Sequence, residues 1–228
     1  WNIYGGAAYQ TVKGSVQLRG TAYGGNATFG GYNANIKETG DVGWLAGVAF
    51  QLPEIALKTS LTYRSEIEHS VNARETFNSA GSFGALNFLT PNKTDITTPQ
   101  SANLDFQTGI MADTVAFANV RWVNWKDFSI RPDKFGKASL IAGQSPTVNK
   151  PNGFDLVAYT DDQWSANVGV GRKLTEQWAG NISVGWDSGA GNPVTTLGPT
   201  EGYWNVGLGA QFSPAPNYFI AGGVKYFW

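Results

Sequence analysis

Hydrophobic and polar residues alternate with a period of two from Pro53 to Glu68. Side chains of a strand point alternately to its two faces, so this pattern predicts one strand with an apolar face and a charged face. The apolar face carries Ile55, Leu57, Thr59, Leu61, Tyr63, Ser65 and Ile67, and the charged face carries Glu54, Ala56, Lys58, Ser60, Thr62, Arg64, Glu66 and Glu68. The alternation continues for about fourteen residues, whereas strands of globular domains usually have about five or six. Such a strand is typical of a wall between lipid and a wet interior, and it predicts a transmembrane β-barrel.

The same period predicts strands on both sides of this segment. Together they make nine predicted strands, at residues 1–23, 32–52, 53–68, 104–110, 114–128, 155–174, 178–187, 203–212 and 218–228. The Lys13–Gly14 pair is expected to bulge the first of them, since glycine inside a strand often marks a bulge. Single-chain bacterial barrels have an even number of strands. The odd count therefore predicts that at least one strand of the barrel is not part of this chain.

The connections between the predicted strands alternate between long and short. Short turns follow Leu52, Ala112, Leu174 and Phe212, and longer segments lie between them at 24–31, 72–103, 131–153 and 188–199. Outer-membrane barrels show this asymmetry between periplasmic turns and external loops. Tryptophans near strand ends indicate girdles at the lipid headgroups, at Trp44, Trp122, Trp125, Trp164, Trp178 and Trp186. The alternative is a soluble barrel or sandwich, in whose core aromatic residues also pack.

Composition favours the membrane interpretation. Charged residues make up 14% of the 228 residues, below the roughly 25% of soluble domains. No run of about eighteen apolar residues is present, and a membrane protein without transmembrane helices must be a closed barrel, because lipid cannot satisfy an open sheet edge. The net charge of −1 gives no basic field for nucleic acid. The chain starts at Trp1 without a signal segment, so it is expected to be a processed form or a fragment.

No combination of residues indicates an enzyme, and neither a cofactor nor a metal site is predicted. Cysteine is absent, which excludes disulfides and thiolate chemistry. His69 has no second histidine to act with and is interpreted as a surface residue. Asp161 and Asp162 could indicate a hard-cation site, and a solvated strand end explains them equally well. The serines lack the G-x-S-x-G pattern of a nucleophile elbow.

The predicted inner face carries the residues most informative about function. Lys58, Arg64, Glu66 and Glu68 share one face of the 53–68 strand, and Arg121 lies on the predicted inner face of another strand. One interpretation is a compensated charge network that keeps the lumen polar and the barrel rigid. The other is that an unpaired arginine binds the carboxylate of an amphipathic ligand, to which its bidentate fork is suited. Both interpretations fit the sequence.

Several motifs resemble the FadL-like transporters of Gram-negative outer membranes, a family of channels for long-chain fatty acids and aromatic hydrocarbons. The best marker is Leu61-Thr62-Tyr63-Arg64-Ser65-Glu66, which Gly43-Trp44-Leu45-Ala46-Gly47-Val48 precedes by one hairpin. Further similar segments are Val120-Arg121-Trp122-Val123-Asn124-Trp125-Lys126-Asp127-Phe128, Asp161-Asp162-Gln163-Trp164 and Trp186-Asp187-Ser188. These segments occur in the family's order, and the similarity runs from about Trp1 to Trp228.

The resemblance implies a complete barrel of about 14 strands with an N-terminal hatch inside it. It also implies that ligand is captured at external loops, passes to an interior pocket and leaves sideways at a kinked strand. The hatch and the first strands are not present, so residues 1–228 are expected to form one incomplete barrel domain, roughly the C-terminal two-thirds of such a protein. Trp228 is either the aromatic terminus that marks a barrel for insertion or a truncation point.

The sequence therefore predicts an all-β, antiparallel transmembrane barrel of the bacterial outer membrane, for passive uptake of hydrophobic or amphipathic small molecules such as long-chain fatty acids. Arg64 and Arg121 are the predicted carboxylate ligands. Phe83, Leu86, Phe88 and Leu89 of the 73–103 loop are the predicted external capture surface, where burial of apolar area drives binding. The expected partners are outer-membrane lipid, lipopolysaccharide, the ligand and the barrel-assembly machinery. A general diffusion porin and a structural or adhesive surface barrel are the alternatives.

Overall fold

The computed structural model describes residues 1–192 and 201–228, and most of the predicted 188–199 loop lies outside them. In chain order the strands are β1 (Asn2–Gln17), β2 (Asn33–Leu52), β3 (Leu57–Arg64), β4 (Ile67–Val71), β5 (Ala73–Thr76), β6 (Thr94–Thr98), β7 (Ser101–Met111), β8 (Thr114–Val123), β9 (Ser129–Ile130), β10 (Val157–Ala158), β11 (Gln163–Lys173), β12 (Trp178–Asp187), β13 (Tyr203–Ala215) and β14 (Tyr218–Phe227). Helix α1 (Asp133–Gly143) lies between β9 and β10. Short 3-10 turns span Thr21–Tyr23, Gly25–Ala27, Pro53–Ile55, Gly84–Phe88 and Trp125–Asp127. In the described part of the chain, no helix is both long and apolar enough to cross a membrane.

One antiparallel sheet forms a wall that dominates the fold. Its strands follow the order β1-β2-β3-β7-β8-β11-β12-β13-β14, and β5 pairs beside this path with β2. The nine strands predicted from the sequence are thereby confirmed. The predicted bulge is also confirmed, because the register of β1 against β2 shifts between Val12 and Gly14. Within the residues described, β1 and β14 form the two free ends of the path, so the wall is open there.

The strand register sorts the side chains of the wall onto two unlike faces. On the outer face, Leu61 pairs with Leu104, and Leu104 pairs with Val120. All three are exposed although they are large and apolar. On the inner face, Asp105 pairs with Asn119, whose amide donates to its carboxylate at 2.6 Å. The alternation seen in the sequence therefore becomes a continuous apolar surface on one side of the sheet and a polar one on the other.

Glycines on the inner face make room for side chains that lie across them from the neighbouring strand. Asn205 of β13 pairs with Gly185 of β12 and covers it, so that a Cβ at Gly185 would lie 2.5 Å from the Asn205 amide nitrogen. Gly47 is covered in the same way by the ring of Tyr4, at 2.3 Å. Because these side chains lie over glycine, they project less far from the inner face of the sheet.

The predicted strand at 53–68 is wrong in its extent. Its first residues form a 3-10 turn, β3 ends at Arg64, and the chain leaves the wall before β4 begins. Ser65 ends the ladder against Trp44: its N–H donates to the Trp44 carbonyl, and its hydroxyl accepts the Trp44 N–H, both at 2.9 Å. A side chain thus replaces the next backbone partner, and this substitution has no signature in the hydrophobic period.

Strand β4 continues the alternation but belongs to a different core. Its Ile67 and Val71 are buried, while Glu68 is exposed. Glu66 and Glu68 therefore do not share the inner face of the wall with Arg64. His69, predicted at the surface, is 0% exposed, and its Nε2 contacts the amide oxygen of Gln10 at 3.1 Å. That prediction is wrong because β4 packs its apolar face against residues of β2, β5 and β6.

The long connections fold into a cap at the end of the wall away from the short turns. We define the cap as residues 18–32, 66–100 and 124–160. Its core is built from Tyr32, Phe77, Phe83, Phe135 and Ala138, which pack with Ala34 of β2. The 131–153 segment was predicted as a loop, and α1 within it corrects that prediction. The helix is stabilised by this tertiary core, into which Phe135 and Ala138 project at helical spacing.

A buried carboxylate connects the parts of the cap. Glu75 of β5 accepts hydrogen bonds from the Tyr32 hydroxyl at 2.8 Å and from the backbone N–H groups of Lys134 and Phe135, at 2.8 and 2.9 Å. Those N–H groups lie in the first turn of α1, whose N-cap, Pro132, has no side-chain hydrogen bond to offer. Glu75 therefore caps the helix from a distant strand. Burial, and then the charge and hydrogen bond of Glu75, raise the pKa of the Tyr32 hydroxyl above its usual range.

Candidate ligand-binding cavity in the lumen

A cavity of about 650 Å³ lies between the inner face of the wall and the underside of the cap. Residues of β1, β2, β3, β7, β8, β11 and β12 line it, and Ile67, Thr98 and Pro99 bound it on the cap side. Small-molecule sites usually measure about 300 to 1,000 Å³. The cavity is therefore of the size that holds a small ligand, and we call it the upper cavity.

Arg64 and Arg121, the two predicted carboxylate ligands, both line the upper cavity. Arg64 ends β3 and pairs with Ser101, while Arg121 lies on β8 and pairs with Ser165. Both side chains are exposed to the open space. Neither guanidinium has a hydrogen bond or an ion pair with any residue in 1–192 or 201–228. Two cations thus face the cavity without a compensating protein charge in contact.

The acidic residue that lines the cavity accepts hydrogen bonds from groups other than the two arginines. Asp187, at the end of β12, is buried, and its carboxylate accepts the Gln163 side-chain amide at 2.8 and 3.0 Å. The backbone N–H of Gly189 donates to the same carboxylate at 2.8 Å. Gln163 in turn accepts the indole N–H of Trp125 at 2.9 Å. Sequence reasoning did not identify Gln163 or Asp187 as site residues, because this network depends on a loop and a 3-10 turn.

A polar contact joins the roof of the cavity to the first strand of the wall. The Gln10 amide oxygen accepts the Thr98 hydroxyl at 2.7 Å and also contacts His69. Gln10 and Thr98 line the upper cavity, so this contact fixes one edge of its roof. Nearby, the Tyr63 hydroxyl donates to Gln100, another link between the wall and the cap.

Asp162 organises the rim of the wall next to the cavity. Its carboxylate accepts the indole N–H of Trp122 and the amide of Asn124, both at 2.9 Å, and the backbone N–H of Lys126 at 3.3 Å. Burial alone would raise the pKa of Asp162, but these hydrogen bonds and the Lys126 charge outweigh it and hold the pKa below its usual range. The predicted solvated strand end is therefore a half-buried structural hub. Within the described chain, no cluster of three or more acidic, histidine or cysteine residues is arranged to hold a metal.

The four predicted capture residues have different environments. Phe83 is 4% exposed and belongs to the cap core, and Leu86 is half-buried against it. Phe88 is 92% exposed and Leu89 is exposed beside it. Only the second pair is presented to solvent.

The cap also contains a cavity of its own, of about 660 Å³. Aromatic and aliphatic side chains form much of its lining, among them Leu18, Phe29, Phe135, Phe154 and Leu156. Phe29, Phe135 and Phe154 contact one another through their rings. We call this space the cap pocket. It provides an apolar surface within the cap.

An antiparallel wall with an apolar outer face and a polar inner face is the architecture of a transmembrane β-barrel. The solved structure of the CymD monoaromatic hydrocarbon channel has this fold and superposes on the chain with a TM-score of 0.53 at 11% sequence identity. The match covers 99% of this chain and 64% of CymD, so the chain spans somewhat less than two thirds of that protein. At this identity the similarity shows the fold alone. No protein-family model and no curated protein matches the sequence.

Proposed function

We propose that the protein is an outer-membrane channel through which hydrophobic and amphipathic small molecules, such as long-chain fatty acids, diffuse passively. The observation that carries this proposal is the pair of unpaired guanidiniums, Arg64 and Arg121, in a ligand-sized cavity behind an apolar wall. Neither energy input nor a cofactor is part of the proposal.

The outer face of the wall supports a location in lipid. Exposed tryptophans stand near strand ends, at Trp164, Trp178, Trp186 and Trp204, and Trp44 of β2 is exposed beside the end of β3. Between them the outer face is apolar and exposed, which in water would be an aggregation surface. Outer-membrane lipid and lipopolysaccharide are the proposed surroundings, and the barrel-assembly machinery is the proposed partner during insertion.

The free arginines favour a cargo with an anionic head. A carboxylate in a partly desolvated cavity gains charge-assisted hydrogen bonds from a guanidinium, worth about 1.5–3 kcal/mol each. The apolar remainder of the cargo gains about 0.8 kcal/mol for every methylene that leaves water. Exposed Phe88 and Leu89 and the cap pocket offer apolar surface outside the upper cavity. We therefore propose that the cargo is captured at the cap and bound by its head in the upper cavity.

A neutral aromatic hydrocarbon is the second candidate cargo, because CymD is a channel for monoaromatic hydrocarbons. Such a cargo would use the aromatic cap pocket and would form no charge-assisted hydrogen bond with the arginines. Replacement of Arg64 and Arg121 separates the two candidates: uptake of a neutral hydrocarbon would be unchanged, and uptake of a carboxylate would fall.

Liposome uptake of labelled oleate tests the proposal. Vesicles that contain the full-length protein should accumulate oleate faster than empty vesicles of the same lipid. Equal rates would exclude the proposed function. A general diffusion porin predicts large ion conductance in planar bilayers, and an adhesive barrel predicts binding to a surface partner without any uptake.

A further inference from the structure

The arrangement of Arg121 and Asp187 raises the question of why they are not an ion pair. Arg121, Ser165 and Asp187 are successive members of one cross-strand row on β8, β11 and β12, so all three side chains belong to the inner face. Two strand spacings separate the Cα atoms of the two charged residues, about 10 Å. The intervening side chain is a short serine. An extended arginine reaches across one strand, so register and charge both allow a salt bridge.

Hydrogen bonds from another residue take up the carboxylate instead. The Gln163 Nε2 donates to both oxygens of Asp187, at 2.8 and 3.0 Å, and the Gly189 N–H adds a bond of 2.8 Å. The Gln163 amide is fixed at its other end, because its oxygen accepts the Trp125 indole N–H at 2.9 Å. An indole N–H only donates, so this contact sets which end of the amide is which.

We propose that Gln163 is a positioning residue that keeps Arg121 available for cargo by holding the Asp187 carboxylate away from it. The inference rests on the proposed binding of a carboxylate in the upper cavity. Without the Gln163 amide, Asp187 would retain one backbone donor and would turn toward Arg121, the cation of the same cross-strand row. The protein carboxylate would then occupy the position of the cargo carboxylate, and the cavity would be inhibited by its own acid.

A set of four variants tests this role through oleate affinity. Gln163→Leu keeps volume but removes the hydrogen bonds to Asp187 and from Trp125. It should raise the Kd for oleate about tenfold, the size of one lost charge-assisted hydrogen bond. Adding Asp187→Asn to it should restore the wild-type Kd, because no acid is left to compete. Gln211→Leu is the matched control, since Gln211 lies on β13 outside the cavity and its side chain, among the described residues, hydrogen-bonds only to Ser213. An unchanged Kd in Gln163→Leu, with Arg121→Ala weakened, would overturn the proposal.

A measurement without cargo separates this proposal from the proposed function. A double-mutant cycle of thermal unfolding between Arg121→Ala and Asp187→Asn should show additive shifts in wild type and non-additive shifts in the Gln163→Leu background. Additive shifts in both backgrounds would overturn the role of Gln163, whether or not oleate binds. Non-additive shifts with no effect of Arg121→Ala on oleate would support Gln163 and exclude carboxylate binding as the function. Gln163→Met provides the same test should Gln163→Leu fail to fold.

Discussion

An arginine that faces a partly enclosed space without a protein partner keeps its N–H donors free to bind an anionic ligand. Arg64 and Arg121 each present a planar fork that matches a carboxylate, and neither is neutralised by a contacting acid in the described chain. Lys58 is also on the inner face but lies six positions earlier on β3, outside the upper cavity. The two arginines thus define where an anionic head would be held.

Removing either arginine should therefore weaken carboxylate binding. We expect Arg64→Ala and Arg121→Ala each to raise the Kd for oleate about tenfold or more, since each loses a charge-assisted hydrogen bond of about 1.5–3 kcal/mol. The Kd for oleyl alcohol should not change. Binding is measured by isothermal titration with protein in nanodiscs. Arg172→Ala is the control, because Arg172 is exposed on β11 away from the cavity; an equal effect there would argue against a specific site.

Asp162 gives a prediction about acid. Its pKa is lowered in the folded protein, so the folded state holds fewer protons on this carboxyl than the unfolded state does. The stability it contributes is present above the unfolded pKa of about 3.9 and is lost as the pH falls through the lower folded value. Asp162→Asn should cost about 1–3 kcal/mol near neutral pH, through unsatisfied donors on Trp122 and Asn124.

Urea unfolding between pH 7 and pH 3 measures this effect. The difference in unfolding free energy between wild type and Asp162→Asn should narrow toward the acid end of the series. A difference that stays constant across the series would show that the charge of Asp162 is not what stabilises the rim. Asp161→Asn serves as the neighbouring control, since Asp161 is exposed.

At the residue scale, the sequence was informative where a side chain's face follows from strand alternation. Arg64 and Arg121 were placed inward by counting, and the register puts both at the upper cavity. Gln163 and Asp187 follow the same alternation, but their partners are Trp125 and Gly189, which lie in irregular segments. Hydrogen bonds of this kind depend on how loops return to the wall, and no local pattern encodes that.

Within the cap, strand β5 stabilises helix α1 through hydrogen bonds to the first turn of the helix. Glu75 of β5 supplies the first turn of α1 with the acceptors that Pro132 does not provide. We expect Glu75→Ala to destabilise the cap by about 3 kcal/mol or more, because buried N–H groups would lose a charged acceptor. The result should be faster proteolysis within residues 131–153 while the wall stays intact, as judged by limited digestion. Glu68→Ala, on the exposed face of β4, should leave digestion unchanged.

Substitutions of Phe83 and Phe88, which lie in the same loop, should distinguish an effect on cap stability from an effect on ligand capture. Phe83→Ala should destabilise the cap by about 3–5 kcal/mol, because it opens a void in a packed core. Phe88→Ser should leave stability unchanged and slow oleate capture, since this ring is exposed. Cap stability is read from urea titration and capture from the initial rate of oleate binding. Equal capture rates for Phe88→Ser and wild type would remove Phe88 from the capture surface.

At the element scale, the period of two located every strand of the wall, since each has one face in an apolar setting and one in a polar setting. The period of two predicted a single strand that extends past Arg64 to Glu68. The structure has a separate strand there, β4, which shows the same two-faced pattern but buries its apolar side in the cap. The period of two also missed α1, whose stability comes from Glu75 and the aromatic core rather than from local propensity. Tertiary contacts decided both elements.

The whole molecule consists of an apolar-faced wall, a cavity behind it and an aromatic cap over the cavity. The cap pocket is lined largely by apolar side chains, whereas Arg64 and Arg121 line the upper cavity. Under the proposed function, an amphipathic molecule would bind by its tail at the cap and by its head in the upper cavity. The similarity to CymD at 11% identity extends to the fold, and the chemistry of the cargo rests on this chain's own side chains.

The most direct test compares uptake of two cargoes that differ only in the head group. Liposomes with full-length wild-type protein should accumulate labelled oleate faster than empty vesicles. In the Arg64→Ala/Arg121→Ala double variant, the ratio of oleate uptake to oleyl alcohol uptake should fall about tenfold or more, the effect of losing at least 1.4 kcal/mol of head-group binding. An unchanged ratio, or wild-type uptake equal to that of empty vesicles, would contradict the account.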